Sequence, residues 1–212
     1  MPPPGTDDYL LKLEGAEIRD AIVVFCDIRG FSGWSSRHQH EIQRLLEITY
    51  GSAYELFGEK KEQRLPQRVV KFTGDGFLAV KEYASDSADA LRIAAVEMFR
   101  NCGAYVRRFA ERLGSSNLHG TRYLGVGLGV TYGKSLRFYI RGHSLDYVGD
   151  RVNLASRLAD AADPGEIIAE EDFENHLVPY SDGDAAPRWK PEERELKKMG
   201  KTRVLVVESP PA

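Results

Sequence analysis

Two aspartates each follow an apolar run that predicts a buried strand. Asp27 ends the run 20–27, and a glycine-containing turn comes directly after it. Asp75 stands in the sequence Gly-Asp-Gly, which predicts a tight turn between two further strands. If the strands are neighbours, the two carboxylates come close and repel each other unless a cation lies between them. Divalent cations held by carboxylate oxygens are typical of two-metal phosphoryl transfer.

A third segment carries an amide and a guanidinium at helical spacing. Asn153 and Arg157 are four residues apart in a predicted helix, so their side chains share one face. Together these groups suit a sugar and a phosphate. The pattern therefore adds a candidate nucleotide-binding surface to the candidate metal site.

Together, these segments resemble the catalytic domain of the class III nucleotidyl cyclases, the family of adenylate and guanylate cyclases. The resemblance runs from about Ile22 to Val207 and depends on four segments in the family's order. They are Phe25-Cys-Asp-Ile-Arg-Gly-Phe-Ser, Lys71-Phe-Thr-Gly-Asp, Gly149-Asp-Arg-Val-Asn-Leu-Ala-Ser-Arg-Leu and, more weakly, Leu196-Lys-Lys-Met-Gly-Lys.

The resemblance implies a role for each matching residue. Asp27 and Asp75 match the two metal-binding aspartates, and the backbone carbonyl of Ile28 would add a metal ligand. Asn153 matches the residue that orients the ribose, and Arg157 matches the residue that stabilises the transition state.

Three further positions would bind the substrate. Lys71 and Asp146 fall where the family reads the nucleobase, and Lys197 falls where it contacts the triphosphate. The last segment departs from the family pattern, because Lys-Lys-Met-Gly replaces Lys-Gly-Lys-Gly. The resemblance therefore leaves open which lysine reaches the phosphate.

The resemblance also implies cofactors, a partner and a reaction. In the family, two Mg²⁺ or Mn²⁺ ions assist attack of the ribose 3′-oxygen on the α-phosphorus of a nucleoside triphosphate. The metals come from one subunit, and the base-reading, ribose and transition-state groups come from the other. This chain carries both sets, so we expect a head-to-tail homodimer with two equivalent sites. A non-catalytic nucleotide-binding module on the same fold is the alternative.

The nucleobase stays open at this level. Lys71 donates and Asp146 accepts, which fits the adjacent acceptor and amine of adenine or cytosine. Uracil fits if its carbonyl meets the lysine and its N3–H meets the aspartate. Guanine is rejected, because its corresponding ring nitrogen carries a proton beside the O6 acceptor. Edge chemistry thus leaves ATP, CTP and UTP, and the size of the pocket must decide.

Two features favour a pyrimidine over ATP. The chain shows only a catalytic domain, and its Asp146-Tyr-Val-Gly segment is two residues shorter than in many bacterial adenylate cyclases. Both features resemble the compact pyrimidine cyclases of bacterial anti-phage (Pycsar-type) signalling, which make cyclic UMP or CMP. Tyr50, on the helix after Asp27, is a candidate for filling the space that a purine would take.

The remaining pattern predicts an α+β domain with a ferredoxin-like antiparallel sheet and helices on one face. We expect a flexible N-terminus over 1–14, one catalytic domain over 15–208 and a flexible tail over 209–212. Two strands are predicted at 123–132 and 136–140, with a break at Gly133-Lys134, and a loop is predicted over 179–187.

Composition excludes several other classes. The net charge is −3, from 29 basic and 32 acidic residues, so a nucleic-acid partner is not expected. No apolar run is long enough to span a bilayer, and the N-terminus lacks the pattern of a signal peptide. Cys26 and Cys102 both lie in apolar stretches and predict reduced core residues. We therefore expect a cytoplasmic location, with no membrane partner.

Overall fold

Two long antiparallel strands form the centre of the sheet in the computed structural model, which describes residues 15–58, 67–84, 87–140, 143–177 and 188–209. β1 (Gly15–Arg29) pairs with β4 (Gly125–Ile140) along its whole length, from Gly15 opposite Tyr139 to Arg29 opposite Gly125. This long ladder fixes the register of the two central strands and therefore the position of the residues at their ends.

The other strands flank this central pair. The hairpin of β2 (Gln67–Phe72) and β3 (Phe77–Glu82) lies beside β1, with β3 against it. On the far side of β4 follow β6 (Ile167–Glu170), β8 (Gly200–Ser209) and β7 (Arg188–Leu196). β5 (His143–Val148) also pairs with β4. The pairing of β4 with β6 is parallel, and the other pairings are antiparallel.

One face of the sheet is covered by two long helices, α2 (Ile42–Phe57) and α3 (Ala88–Gly114). The alternation of a strand sends every second side chain of β1 toward them. The short helices α1 (Phe31–Ser35) and α5 (Phe173–Leu177) contribute one buried aromatic residue each to the same core. Its β1 members are Ile22, Val24, Cys26 and Ile28.

The helix α4 (Asp150–Ala161) crosses the opposite face of the sheet. Its approach depends on glycines in β4, because a Cβ on Gly129 would lie 2.0 Å from the Ala155 carbonyl oxygen. A Cβ on Gly127 would lie 3.0 Å from the Ala162 side chain. The α+β class is confirmed, but helices cover both faces rather than one, since these glycines leave room for a helix.

The predicted break at Gly133 is wrong, because β4 runs through it as a single strand. Gly133 has φ +126° and still pairs with Ala21, so the ladder with β1 continues. Glycine adopts such a conformation without steric cost, so the strand continues through this position. The sequence pattern predicts neither β5 nor α5. The predicted segment 1–14, the loop 179–187 and residues 210–212 lie outside the described residues.

Both cysteines are buried and unpaired, as predicted. Burial raises the pKa of the Cys26 thiol to about 12, and burial also raises the pKa of Cys102 well above its usual range. Both side chains therefore act as small apolar core residues. Within the described part of the chain, no helix has the length and apolarity needed to cross a bilayer.

We predict that Gly129→Ala destabilises the domain by about 2 kcal/mol or more, because the new methyl group would force α4 away from β4. Urea unfolding followed by circular dichroism measures the effect. Gly114→Ala is the matched control, since nothing lies within 4 Å of a Cβ at this last residue of α3. Equal unfolding midpoints for the two variants would show that the close approach of α4 to β4 does not contribute to the stability of the domain.

Candidate active site

The register of β1 and β3 brings Asp27 and Asp75 to the same end of the sheet. Cys26 pairs with Phe77, so Asp27, which follows Cys26, lies beside the turn residues that precede Phe77. Gly76 lies so close to β1 that a Cβ there would be 3.2 Å from the Asp27 Cα. The turn is closed by a hydrogen bond from the Thr73 amide to the Gly76 carbonyl at 2.9 Å. The structure thus brings together the two aspartates that the sequence singles out.

The two carboxylates have different surroundings. Asp27 forms an ion pair with Arg29, which lies two residues further along β1. Asp75 is half-buried, and the structure shows no hydrogen bond or ion pair for its side chain among the described residues. Its charge reaches Tyr50, whose pKa is raised first by burial and then by the nearby carboxylate. One aspartate is therefore already neutralised within the chain, while the other is open to a cation.

The donor set at this edge suits a hard divalent ion. Both side chains offer carboxylate oxygens, and the buried side chain of Ile28 leaves only its backbone to contribute. Among the described residues, no group of three His, Cys, Asp or Glu side chains is placed to hold a metal. A metal here would thus be bound by two carboxylates and completed by a backbone carbonyl, water or substrate oxygens.

Tyr50 contacts the turn that carries Asp75. Its hydroxyl donates a hydrogen bond to the carbonyl oxygen of Gly74. Its ring centroid lies 3.9 Å from that of Phe72, and Tyr54 contacts the same ring at 5.3 Å. These contacts give Tyr50 a role in holding the turn, which the sequence does not predict. Its proposed contact with substrate stays a prediction.

Lys71 and Asp146 meet although they are far apart in sequence. The Lys71 ammonium lies 2.6 Å from the Asp146 carboxylate, and both side chains are partly exposed. The second carboxylate oxygen of Asp146 accepts a hydrogen bond from the Tyr147 amide at 2.7 Å. A donor and an acceptor therefore lie side by side at the surface, and their reading of a nucleobase stays a prediction.

A buried polar network holds this pair in place, and sequence reasoning missed it. The hydroxyl of the buried Tyr147 donates to Glu82 at 2.5 Å and accepts from Arg68 at 2.9 Å. Arg137 forms an ion pair with the same carboxylate oxygen of Glu82. Burial raises the pKa of Tyr147, and the bond to Glu82 raises it further. The sequence signal that could have found the network is a charged residue inside each of two largely apolar strands, Glu82 in β3 and Arg137 in β4.

α4 is fixed at its N-terminal end, close to its candidate catalytic residues. The Thr131 hydroxyl donates to the Arg151 carbonyl at 2.9 Å, and Arg151 forms an ion pair with Glu170. Burial raises the pKa of Glu170. Asn153 is exposed and Arg157 half-buried, and neither side chain has a hydrogen bond or ion pair within the described ranges. Both are available to an outside ligand.

Lys197 lies exposed in the turn between β7 and β8. The turn is closed by the Met199 amide, which donates to the Leu196 carbonyl at 2.9 Å. Lys198 has φ +66°, the left-handed region that favours glycine. It occupies the position of a glycine in the family pattern, so the turn keeps that conformation with a lysine in place.

The profile described as the adenylate and guanylate cyclase catalytic domain matches residues 14–201. The chain belongs to this family. It is a nucleotidyl cyclase domain, and the resemblance inferred from the four sequence segments is confirmed at this level.

An uncharacterised protein of Mycobacterium tuberculosis (strain ATCC 25618 / H37Rv) is 38% identical over 102 residues, which cover 48% of this chain and 21% of that protein. The match thus covers about a fifth of the length of the curated relatives.

Solved structures share the fold of this cyclase domain. The adenylyl cyclase CyaB from Pseudomonas aeruginosa has a TM-score of 0.62 and 20% identity, covering 92% of this chain and 97% of that one. The guanylyl cyclase Cya2 has a TM-score of 0.65 and 18% identity, covering 91% and 92%. At these identities the likeness establishes the architecture and leaves the nucleobase open.

Proposed function

We propose that this domain converts a nucleoside triphosphate to a 3′,5′-cyclic nucleotide and pyrophosphate by two-metal catalysis. The observation that carries the proposal is the meeting of Asp27 and Asp75 at adjoining strand ends in a chain of the cyclase family. In the reaction, the ribose 3′-oxygen forms a bond to the α-phosphorus, and the bond to the β-phosphate oxygen breaks. The hydroxyl proton leaves to solvent, and pyrophosphate carries the negative charge away.

Each candidate residue of the chain has a separate proposed role. Asp27, Asp75 and the Ile28 carbonyl would hold two Mg²⁺ or Mn²⁺ ions, which lower the pKa of the 3′-hydroxyl and neutralise the leaving group. Asn153 orients the ribose, and Arg157 places positive charge where it develops on the α-phosphoryl oxygens. Lys197 contacts the triphosphate.

A homodimer would complete each site. Asn153 lies about two helical turns from the end of α4 that is next to β1, and its side chain is exposed. We propose that the aspartates and the α4 residues of one chain contact two different substrate molecules, one in each site of the dimer. A two-fold arrangement lets one contact build both sites, with the aspartates of one protomer facing Asn153 and Arg157 of its partner.

For the base, we propose a pyrimidine, UTP or CTP, with ATP as the alternative. The close pair of Lys71 and Asp146 presents a donor beside an acceptor, which matches an acceptor beside a donor on the base edge. The rejection of guanine from its edge alone does not hold, because guanine turned to present O6 and N1–H offers the same edge as uracil, so the pair by itself leaves GTP open. The size of the base must therefore decide, and we propose that Tyr50, whose ring contacts Phe72, the residue after Lys71, fills the space that a purine would take.

We predict that the purified protein with Mn²⁺ makes cyclic UMP or cyclic CMP as the main product when given each of the four triphosphates. Chromatography of the products measures this. Tyr50→Ala should begin to accept ATP, because the removed ring leaves room for a purine, whereas Tyr50→Phe keeps the ring and the selectivity. Cyclic AMP as the main wild-type product would refute the pyrimidine proposal, and no cyclic product from any triphosphate would favour a non-catalytic module.

A second prediction tests the shared site. Asp75→Asn and Asn153→Ala should each abolish turnover, but a mixed dimer of the two variants keeps one intact site of two. Differently tagged chains, co-expressed and purified as mixed dimers, should recover about half of wild-type activity. Mixed dimers of Asp75→Asn with Asp27→Asn should recover none, since every site then has a defective metal half. Equal recovery in both mixtures would overturn the division of the site between protomers.

We further propose that the cyclic nucleotide is a second messenger in anti-phage defence. The proposal is supported by the short segment from Asp146 to Gly149, which resembles that of the pyrimidine cyclases of such systems. Cyclic UMP or CMP should rise during phage infection of cells that produce the protein, and mass spectrometry of cell extracts measures it. Cells producing Asp75→Asn are the control. A level that infection does not change would exclude the role.

A further inference from the structure

Arg29 makes two contacts that join the candidate metal site to α4. It follows Asp27 by two residues on β1, so both side chains lie on the sheet face that α4 covers. One end of the guanidinium forms an ion pair with the Asp27 carboxylate. The other end donates to the carbonyl oxygen of Asp160, in the last turn of α4, at 3.0 Å. The second contact holds the guanidinium where it meets the aspartate.

The pair is poorly screened by water. The Arg29 side chain is 19% exposed and the Asp27 side chain 27%. The Arg29 Nε and Nη2 atoms are both buried, and neither has a hydrogen-bond partner within the described residues, so Nη2 contacts Asp27 as an ion pair without a hydrogen bond. Charges at such partly buried positions interact more strongly than at the open surface. A divalent ion on Asp27 would therefore lie close to a fixed positive charge.

We propose that Arg29 is a positioning residue that acts as the internal counter-ion of Asp27 and limits the affinity of the site for a metal ion alone. This inference rests on the proposed metal site. The guanidinium neutralises Asp27 before a metal arrives and repels the metal afterwards. The triphosphate brings negative charge that offsets the repulsion, so metal and nucleotide bind together rather than in sequence.

The experiment measures Mn²⁺ binding to the full chain without nucleotide, by electron paramagnetic resonance of the free ion. Arg29→Gln keeps an amide that can bond to the Asp160 carbonyl but removes the charge, and it should bind Mn²⁺ about tenfold more tightly. Arg29→Leu, which also removes the charge, should change affinity in the same direction. Arg29→Lys keeps the charge and should stay within about twofold of wild type. Arg203→Gln, an equal change of net charge on β8, should have no effect.

A second readout separates this role from a purely structural one. Without metal, Arg29→Gln should melt at a lower temperature than wild type, because Asp27 loses its counter-ion. Added Mn²⁺ should raise its melting temperature more than that of wild type. A purely structural role predicts the first change without the second, and that result would overturn the inference.

The outcomes distinguish this inference from the proposed function. Unchanged or weaker Mn²⁺ binding in Arg29→Gln, or equally tight binding in Arg29→Lys, overturns the role of Arg29 and leaves the metal site standing. Wild-type protein that binds no Mn²⁺, or binding that persists unchanged in Asp27→Asn, overturns the metal site and this inference with it.

Discussion

Two negative charges at one end of the central strands constrain the rest of the site. Asp27 and Asp75 are held together by the backbone, because Gly76 lies against β1 with no side chain to separate them. Two carboxylates that lie close together destabilise each other's charged form unless positive charge lies nearby. The chain supplies one such charge through Arg29 and leaves Asp75 without an ionic partner among the described residues. The chain therefore neutralises one of the two carboxylates and leaves the other open to a cation, which is consistent with the proposed metal site.

The two faces of the sheet have different roles in the domain. α2 and α3 bury one face with large apolar side chains, so that face provides most of the core. The opposite face has glycines in β4 where α4 crosses, and the helix lies close enough to follow the strand. Because α4 is fixed by Arg151 at one end and by Arg29 at the other, Asn153 and Arg157 are carried on a helix whose position both ends determine.

The sequence predicts the parts of the site that local patterns encode. Asp27 ends an apolar run and Asp75 stands in a predicted tight turn, and the spacing of Asn153 and Arg157 indicates one helix face. Gly133 shows the limit of such reasoning, since a glycine that predicts a turn lies here, with positive φ, inside one continuous strand. Whether a glycine ends a strand depends on the neighbour strand, and β1 continues past this point.

Contacts across distant segments could not be predicted from local patterns. Tyr147, Glu82 and Arg68 come from three strands, and only the folded sheet shows that one hydroxyl joins them. The same holds for Tyr50, whose hydroxyl contacts a turn 24 residues away in sequence. Local pattern predicts which residue types are present, whereas the partners of each depend on strand order and register.

If Lys71 and Asp146 read the nucleobase, as proposed, their ion pair sets a condition on how the base is bound. The two groups already satisfy each other at 2.6 Å, so a base gains little by replacing that contact with one hydrogen bond. A base that bonds to both groups at once keeps them adjacent and adds two bonds without leaving either charge unpaired. The buried network around Tyr147 keeps Asp146 from moving away, which makes the two-bond arrangement the favourable one. On the proposed role of this pair, recognition depends on the order of donor and acceptor along the base edge, and Tyr50 is the residue proposed to separate the bases that share this order.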